Sequence, residues 1–509
     1  MQSVPYTRKS VGLFNMMSQY ISDLRADKPS CLVFRYVAKT MNAPKLIAAM
    51  ITLLAYVCWW QWISQFPLQL TSDDALNFAR GVQRFSVLEF RPHFPGYPAF
   101  IGVAHIAARW CDPQVAVIWV SLISAMLIPL AVARLIFLCV SSLVAAVVGC
   151  LLVLSQPLLA SIALSGLSDA TAILFTLLSL MAASQKQYRW VGVWLGLMLA
   201  TRPSYFVLAL GVGMFPWWHG LHRQLGVKAV VKAYFQASWI IAVIGALSLG
   251  FIWAHDGKAY IDEGIRFTQG HFAIWGNTVE GNDATLWQWV IAISNGMGWP
   301  VLVAAFLSLL SSVFLVFFQS AKHGASSVHR VNSVSQLAAC ASVAVAYWTW
   351  ISLGQNPDNL RHWAPVLFLF LVVIVGQLSW LAKSNELWLV AIMVLAGYDV
   401  GRNVAALAQS RLQPQAPIQQ AITWIRKHPQ IRVIGTNYSV NLVRAQLKGR
   451  AVYDMFYPSS QRALSEQAQS DPHSAWRLSG IRLNGHELYA QFPPRFVGER
   501  GLYLYQINQ

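Results

Sequence analysis

TSDDALNFARGVQRFSVLEFRPHFPGYPAF, residues 71–100, follows the first long apolar run of the chain and sets two carboxylates, Asp73 and Asp74, side by side. Only 20 Asp and Glu occur in 509 residues. An adjacent pair at a membrane boundary costs mutual repulsion and dehydration, which motivates a functional reading. The plain alternative is a helix cap, with Asp73 as N-cap and Asp74 favouring the helix dipole. Downstream, Leu76, Ala79, Val82, Phe85, Val87 and Leu88 recur near helical spacing among Asn77, Arg80, Gln83 and Arg84. That pattern predicts a short amphipathic helix lying on the membrane surface. RPHFPGYP, residues 91–98, then forbids a continuing helix and holds His93 and Tyr97 at the entry to the next apolar segment.

Composition widens the reading. The chain is 56% hydrophobic and 11% charged, with mean hydropathy +0.47, which indicates a polytopic α-helical membrane protein. The formal net charge of +17 lies mostly in short loops and at the two ends, so membrane lipid headgroups and the positive-inside rule account for it, and no nucleic-acid partner is expected. Arg8, Lys9, Arg25, Lys28, Arg35, Lys39 and Lys45 put residues 1–43 on the cytoplasmic side as a basic tail, and no cleavable signal peptide is evident. The six cysteines show no C-x-x-C spacing, which argues against a disulfide framework or a cysteine metal site.

Read in order, apolar spans fall at about 45–66, 115–132, 141–154, 170–183, 190–201, 235–253, 289–318, 335–353, 361–381 and 386–408, with residues 98–109 too short to cross unaided. About 10–13 transmembrane helices are expected over residues 44–410, with the first outer loop at 67–97 carrying the amphipathic helix. SQPLLASIALSGLSDA brings Asp169 to the same side as Asp73. Two short apolar arms flank Arg202 in Thr201-Arg202-Pro203, reading as a broken helix pair with a cation at its tip; snorkelling to headgroups is the alternative. Residues 254–288 are dense in polar groups, His271 among them, and form an outer substrate loop or an ordinary solvated one. GQNPDNLRHWAP sets Arg361 and His362 at the head of an apolar helix, where a guanidinium and backbone N–H groups suit phosphate oxygens, or where arginine simply anchors the span. From residue 411 to 509 the composition becomes that of a small α/β domain, on the outer face by the count of crossings.

Asp73-Asp74, HFPGYP, the SQP to SGLSD segment, Thr201-Arg202-Pro203, and Asn359-Leu360-Arg361-His362 with Pro365 together resemble, in order along about 45–410, the GT-C superfamily of polytopic glycosyltransferases. That superfamily includes protein O-mannosyltransferases and the aminoarabinose transferases of lipid A. Its first motif is usually Asp-Glu with a Tyr a few positions on; Asp-Asp and Asn77 or Phe78 stand here. The resemblance implies a GT-C-type fold and an inverting hexosyl- or pentosyltransferase that uses a polyprenyl-phosphate sugar donor at the outer face of the cytoplasmic (inner) membrane. It implies Asp73 as catalytic base toward an acceptor hydroxyl, and Asp74 as the group that orients the acceptor or holds a divalent cation, Mg or Mn, on which the superfamily divides. Arg361, His362 and Arg202 would bind the donor phosphate, and His93, Tyr97, Asp169 and His271 would shape the cavity. The acceptor, lipid, glycan or protein, stays open. The main rival is a transporter or flippase of lipid-linked or small polar substrates, with Asp73, Asp169 and Arg202 along its path; acids at span ends and the lack of a repeated half weigh against it.

Overall fold

A computed structural model describes residues 43–221, 225–275, 278–279, 282–283, 285–319, 328–357, 359–471 and 474–507. Contacts group the chain into two units, Met1–Leu54 and Ala55–Gln509, and the first contributes to the described residues only the start of the first helix. The helices run in chain order as α1 Ala43–Ile63, α2 Asp73–Gln83, α3 Pro98–Ala107, α4 Pro113–Val140, α5 Leu143–Leu154, α6 Pro157–Ala163, α7 Asp169–Ser184 and α8 Tyr188–Thr201. A 3₁₀ turn, Pro203–Tyr205, leads to α9 Phe206–Gly213, followed by α10 Phe215–Leu221, α11 Val227–Asp256, α12 Ala259–Trp275, α13 Leu286–Met297, α14 Trp299–Gln319 and α15 Val328–Gly354. A second 3₁₀ turn, Leu360–Trp363, opens α16 Ala364–Ala382, and α17 Leu387–Ser410 closes the apolar part.

Among the described residues six helices are long and apolar enough to cross a membrane, or up to eight if each bent pair is one span. Two shorter apolar helices stand beside them: α7, expected to be a span, and α3, expected to be too short to cross unaided. The segment read as one span at 289–318 is divided at Gly298, where α13 and the start of α14 turn by 109°. The span expected to end near Arg134 runs on to Val140, with the Arg134 guanidinium 5.7 Å from the Phe137 ring. The α4 and α16 helices are apolar all round and form the buried centre. By contrast α1, α11 and α17 expose most of their apolar side chains, as helices whose solvent is lipid do. Close helix approach needs small residues: a Cβ on Gly192 of α8 would lie 2.6 Å from the Ala237 carbonyl oxygen of α11.

The α2 helix is buried in protein, which corrects the expectation of a surface-lying helix. Ser72 is its N-cap, accepting from the Ala75 N–H at 3.2 Å. Asn77 and Gly81 are buried along with Leu76, Phe78, Ala79 and Val82, because α2 packs at once on α3, α4 and the C-terminal part. Gly81 is required by the approach of the following loop, since a Cβ there would meet Pro92 Cδ at 2.7 Å. That loop is tied down from the far side as well. Asp256, at the end of α11, accepts from Ser86 Oγ at 2.8 Å and from the Val87 N–H at 2.6 Å. The expected outer loop at 254–288 is largely helical: α12 is followed by the paired strands β1 Thr278–Val279 and β2 Asn282–Asp283.

The C-terminal part contains α18 Pro417–Arg426, β3 Val433–Thr436, α19 Val440–Gln446, β4 Ala451–Asp454, α20 Pro458–Ser470, β5 Ala475–Ser479, β6 Leu488–Phe492 and β7 Leu502–Gln506. Its sheet has the order β4-β3-β5-β7-β6, parallel from β4 to β5 and antiparallel beyond. One apolar cluster runs from Leu76 and Phe78 of α2 through Ile418 and Ile422 of α18 to Leu502 and Leu504 of β7. The sheet is thereby held against α2. Gln419 adds a hydrogen bond to the Leu70 carbonyl at 2.7 Å.

Candidate active site

Breaks in helices supply the site. The turn between α8 and α9 presents Arg202, the start of α7 presents Ser168 and Asp169, the 3₁₀ turn before α16 presents Arg361 and His362, and the start of α2 presents the two carboxylates. Asp169 is fully buried, and Arg202 Nη1 donates to its Oδ2 and to Ser168 Oγ, both at 3.2 Å. Arg202 Nη2 lies 3.3 Å from His362 Nδ1. A guanidinium only donates, so Nδ1 accepts and the His362 proton sits on Nε2. The Tyr205 ring, 5.3 Å from the Arg202 guanidinium, covers one face of it.

Above this buried pair, Arg361 Nη2 donates to Asp74 Oδ2 at 3.4 Å, and His93 Nδ1 stands 3.8 Å from Asp74 Oδ1. His93 Nε2 is 3.1 Å from the Tyr97 hydroxyl, and Phe78 packs beneath both rings. The Asp74 side chain keeps 40% of its accessibility while His93, Arg361 and Arg202 act on it. Burial acts to raise its carboxyl, but the charges of His93, Arg361 and Arg202 outweigh that and hold it below the ordinary carboxylate value. The Nε–H groups of Arg202 and Arg361 are buried without an acceptor, as is Asp169 Oδ1 without a donor. Two guanidiniums thus keep spare donors in a confined space.

Asp73, one residue earlier on α2, is engaged elsewhere. Its Oδ1 accepts from the Leu442 N–H at 2.7 Å and its Oδ2 from the Asn441 N–H at 3.1 Å, at the start of α19. Burial pushes the Asp73 carboxyl up, against the pull of these two N–H groups. Tyr438 also reaches this region: its phenol is raised by burial and feels Arg500, Glu499, Arg361 and Asp74. Gly498 sits on Leu360, next to Arg361.

Of the residues singled out by sequence, Asp74, His93, Tyr97, Asp169, Arg202, Arg361 and His362 converge, with Asp73 beside them. The His271 side chain lies outside the described residues. Tyr438 and the Asn441 and Leu442 amides were not anticipated, and no local signal marks them, since Asn441 is 368 residues from Asp73; Ser168 lies in the SGLSD segment, next to Asp169. Among the described residues no three His, Cys, Asp or Glu side chains converge as metal ligands. The near charged neighbours of Asp74 are Arg361 and His93.

Solved structures share this fold. The Archaeoglobus fulgidus oligosaccharyltransferase in the apo form aligns with TM-score 0.52 and 11% identity over 85% of this chain and 69% of its own. The archaeal oligosaccharyltransferase AglB from the same organism, in complex with an inhibitory peptide and a dolichol-phosphate, aligns with TM-score 0.52 and 10% identity over 86% and 69%. ArnT from Cupriavidus metallidurans bound to undecaprenyl phosphate aligns with TM-score 0.51 and 11% identity over 92% of this chain and 99% of its own. No protein family and no curated protein matches the chain by sequence. At these identities the likeness is one of fold: the chain shares the overall architecture of these solved structures.

Proposed function

We propose that this protein is an integral membrane glycosyltransferase that moves a sugar from a polyprenyl-phosphate donor to an acceptor hydroxyl, with inversion, and that Asp73 is the base. The observation that carries the reading is the meeting of adjacent carboxylates with Arg361 and Arg202, whose unpaired N–H donors suit phosphate oxygens. The solved complexes of AglB with dolichol-phosphate and of ArnT with undecaprenyl phosphate support a donor of this class on this fold.

The acceptor oxygen forms its bond to the anomeric carbon as its proton passes to the base, and the bond from that carbon to the phosphate oxygen breaks with its electron pair staying on phosphate. An in-line displacement needs base and leaving group on opposite sides of the carbon. Asp74, in contact with Arg361, is on the phosphate side, and Asp73 on the side of the C-terminal amides, so the division of labour follows from their positions on α2. The Asn441 and Leu442 N–H groups fix the Asp73 carboxylate, and its raised pKa makes it the stronger proton acceptor of the pair. Arg361 meets the charge that grows on phosphate; Arg202, closed in its buried pair with Asp169, holds His362 and the floor beneath. Positive charge at this point comes from arginine. A transport path would need these groups to line an opening, whereas Asp169 is sealed.

On this reading residues 44–410 are the catalytic membrane part, 411–509 an extracytoplasmic domain that walls the acceptor side, and 1–43 a cytoplasmic tail of an inner-membrane protein. The test is mass spectrometry of lipids, glycans and envelope proteins from cells with and without the gene. A species one sugar heavier, present only with the intact gene, supports transfer and identifies the acceptor. A lipid or solute that instead accumulates on one side of the membrane, with no glycosylated species changed, would replace transfer by transport.

A further inference from the structure

The positive-inside rule accounts for bases in the cytoplasmic tail and loops but not for those in a domain placed outside. Residues 411–509 hold 12 Lys and Arg against 5 Asp and Glu. Part of that excess is gathered in a depression of about 400 Å³ lined by Arg426, Ala445, Gln446, Leu447, Lys448 and Arg450. Among the described residues none of the three cations has a carboxylate within ion-pair distance. Two are held in place by backbone instead: Arg426 Nη2 donates to the Gln446 carbonyl at 3.0 Å, and Arg450 Nη1 donates to the carbonyls of His428, at 3.0 Å, and Ile431. Carbonyls fix the guanidiniums without cancelling their charge. Lys448 is exposed beside them.

This depression lies at the far end of the helix that holds the base. The first residues of α19 donate to Asp73, and its last residues, Ala445 and Gln446, line the depression. Seven residues of helix span about 10 Å, the reach of a short oligosaccharide.

From this geometry we infer that Arg426, Lys448 and Arg450 form a subsite for an anionic group, phosphate or carboxylate, carried by the acceptor some sugars away from the hydroxyl that is glycosylated. The acceptor on this account is an acidic glycan or glycolipid. The inference rests on the glycosyl-transfer reading for the word acceptor, but the anion site itself is open to test without transfer.

Full-length protein in detergent or in phosphatidylcholine nanodiscs is titrated with glucose 6-phosphate and with glucose, followed by ligand-observed NMR. Wild type binds the phosphate ester and not the neutral sugar, and binding weakens as salt is added. The pair Arg426→Gln with Lys448→Gln weakens it by about tenfold or more, as expected for two lost charge-assisted contacts, while Arg426→Lys with Lys448→Arg retains it. Because Arg361 also offers a phosphate site, Arg361→Gln is run alongside and keeps the Lys448-dependent binding. Equal binding of the two sugars, or a Gln pair that binds like wild type, overturns the inference. So does capture of wild type, but not of the Gln pair, by phosphatidylglycerol vesicles with no binding of glucose 6-phosphate, which would assign the patch to the membrane surface. A phosphate-specific site in a protein that transfers no sugar would keep the subsite and refute the transferase reading alone.

Discussion

Replacing Arg361 by Gln separates binding from chemistry. Its Nη2 stands 3.4 Å from Asp74 Oδ2, with side-chain exposures of 25% and 40%. At that distance two unit charges attract by about 5 kcal/mol at an effective dielectric of 20 and by about 1 kcal/mol in water. The exposure of both groups places the ground-state pair toward the lower figure, so folding and donor binding lose about 1 kcal/mol. The transition state is different, since the leaving phosphate gains charge in a confined site, and a lost fixed donor there costs about 10²–10³ in kcat. Transfer from a radiolabelled polyprenyl-phosphate sugar, measured in proteoliposomes across donor concentrations, should show that fall in kcat with KM changed only a few-fold, and Arg361→Lys should recover part of it. A variant with wild-type kcat and a raised KM would refute the reasoning, because Arg361 would then act only in donor capture.

Other outcomes follow from the same geometry. Arg202→Met leaves Asp169 buried and unpaired, at a cost of about 3–5 kcal/mol, and adding Asp169→Leu should restore most of the thermal stability while activity stays low, as read by a thermal-shift assay and transfer. Phe78→Ala opens a cavity under His93 and Tyr97 and should destabilise the fold by about 3–5 kcal/mol in chemical denaturation. The pH profile should have an acid limb set by Asp73, which must be ionised to act: because burial raises its pKa, activity falls on acidification at a pH above the ordinary carboxylate range. Asp74 is shifted the other way, so the stability it lends is present above its unfolded pKa and is lost as pH falls through its lower folded value; Arg361→Gln should shift that loss upward in pH, as followed by thermal melts.

The long apolar spans and the motif order were legible because length and hydropathy report burial in lipid directly. Helix breaks were harder. The division at Gly298 lies inside an uninterrupted apolar run, where composition does not change when the chain turns. The α2 periodicity correctly announced one apolar face but not its partner, and a face that packs on protein reads the same as one that lies on lipid; burial of Asn77 and Gly81 on the other side is what distinguishes them. Arg202 and Asp169 were each recognisable from charge in an apolar setting, but their pairing with His362 spans 160 residues and has no local trace. The hold of α19 on Asp73 is longer still, which is why the C-terminal domain carried no assigned role before the fold was seen.

The central claim is that Asp73 takes the acceptor proton during transfer from a polyprenyl-phosphate sugar. It is tested most directly by single-turnover transfer in purified wild-type protein and in Asp73→Asn, with donor binding and thermal stability measured on the same samples. The account predicts wild-type donor binding, an intact fold and a transfer rate lower by about 10²–10⁴ in the variant. Undiminished transfer by Asp73→Asn would contradict it.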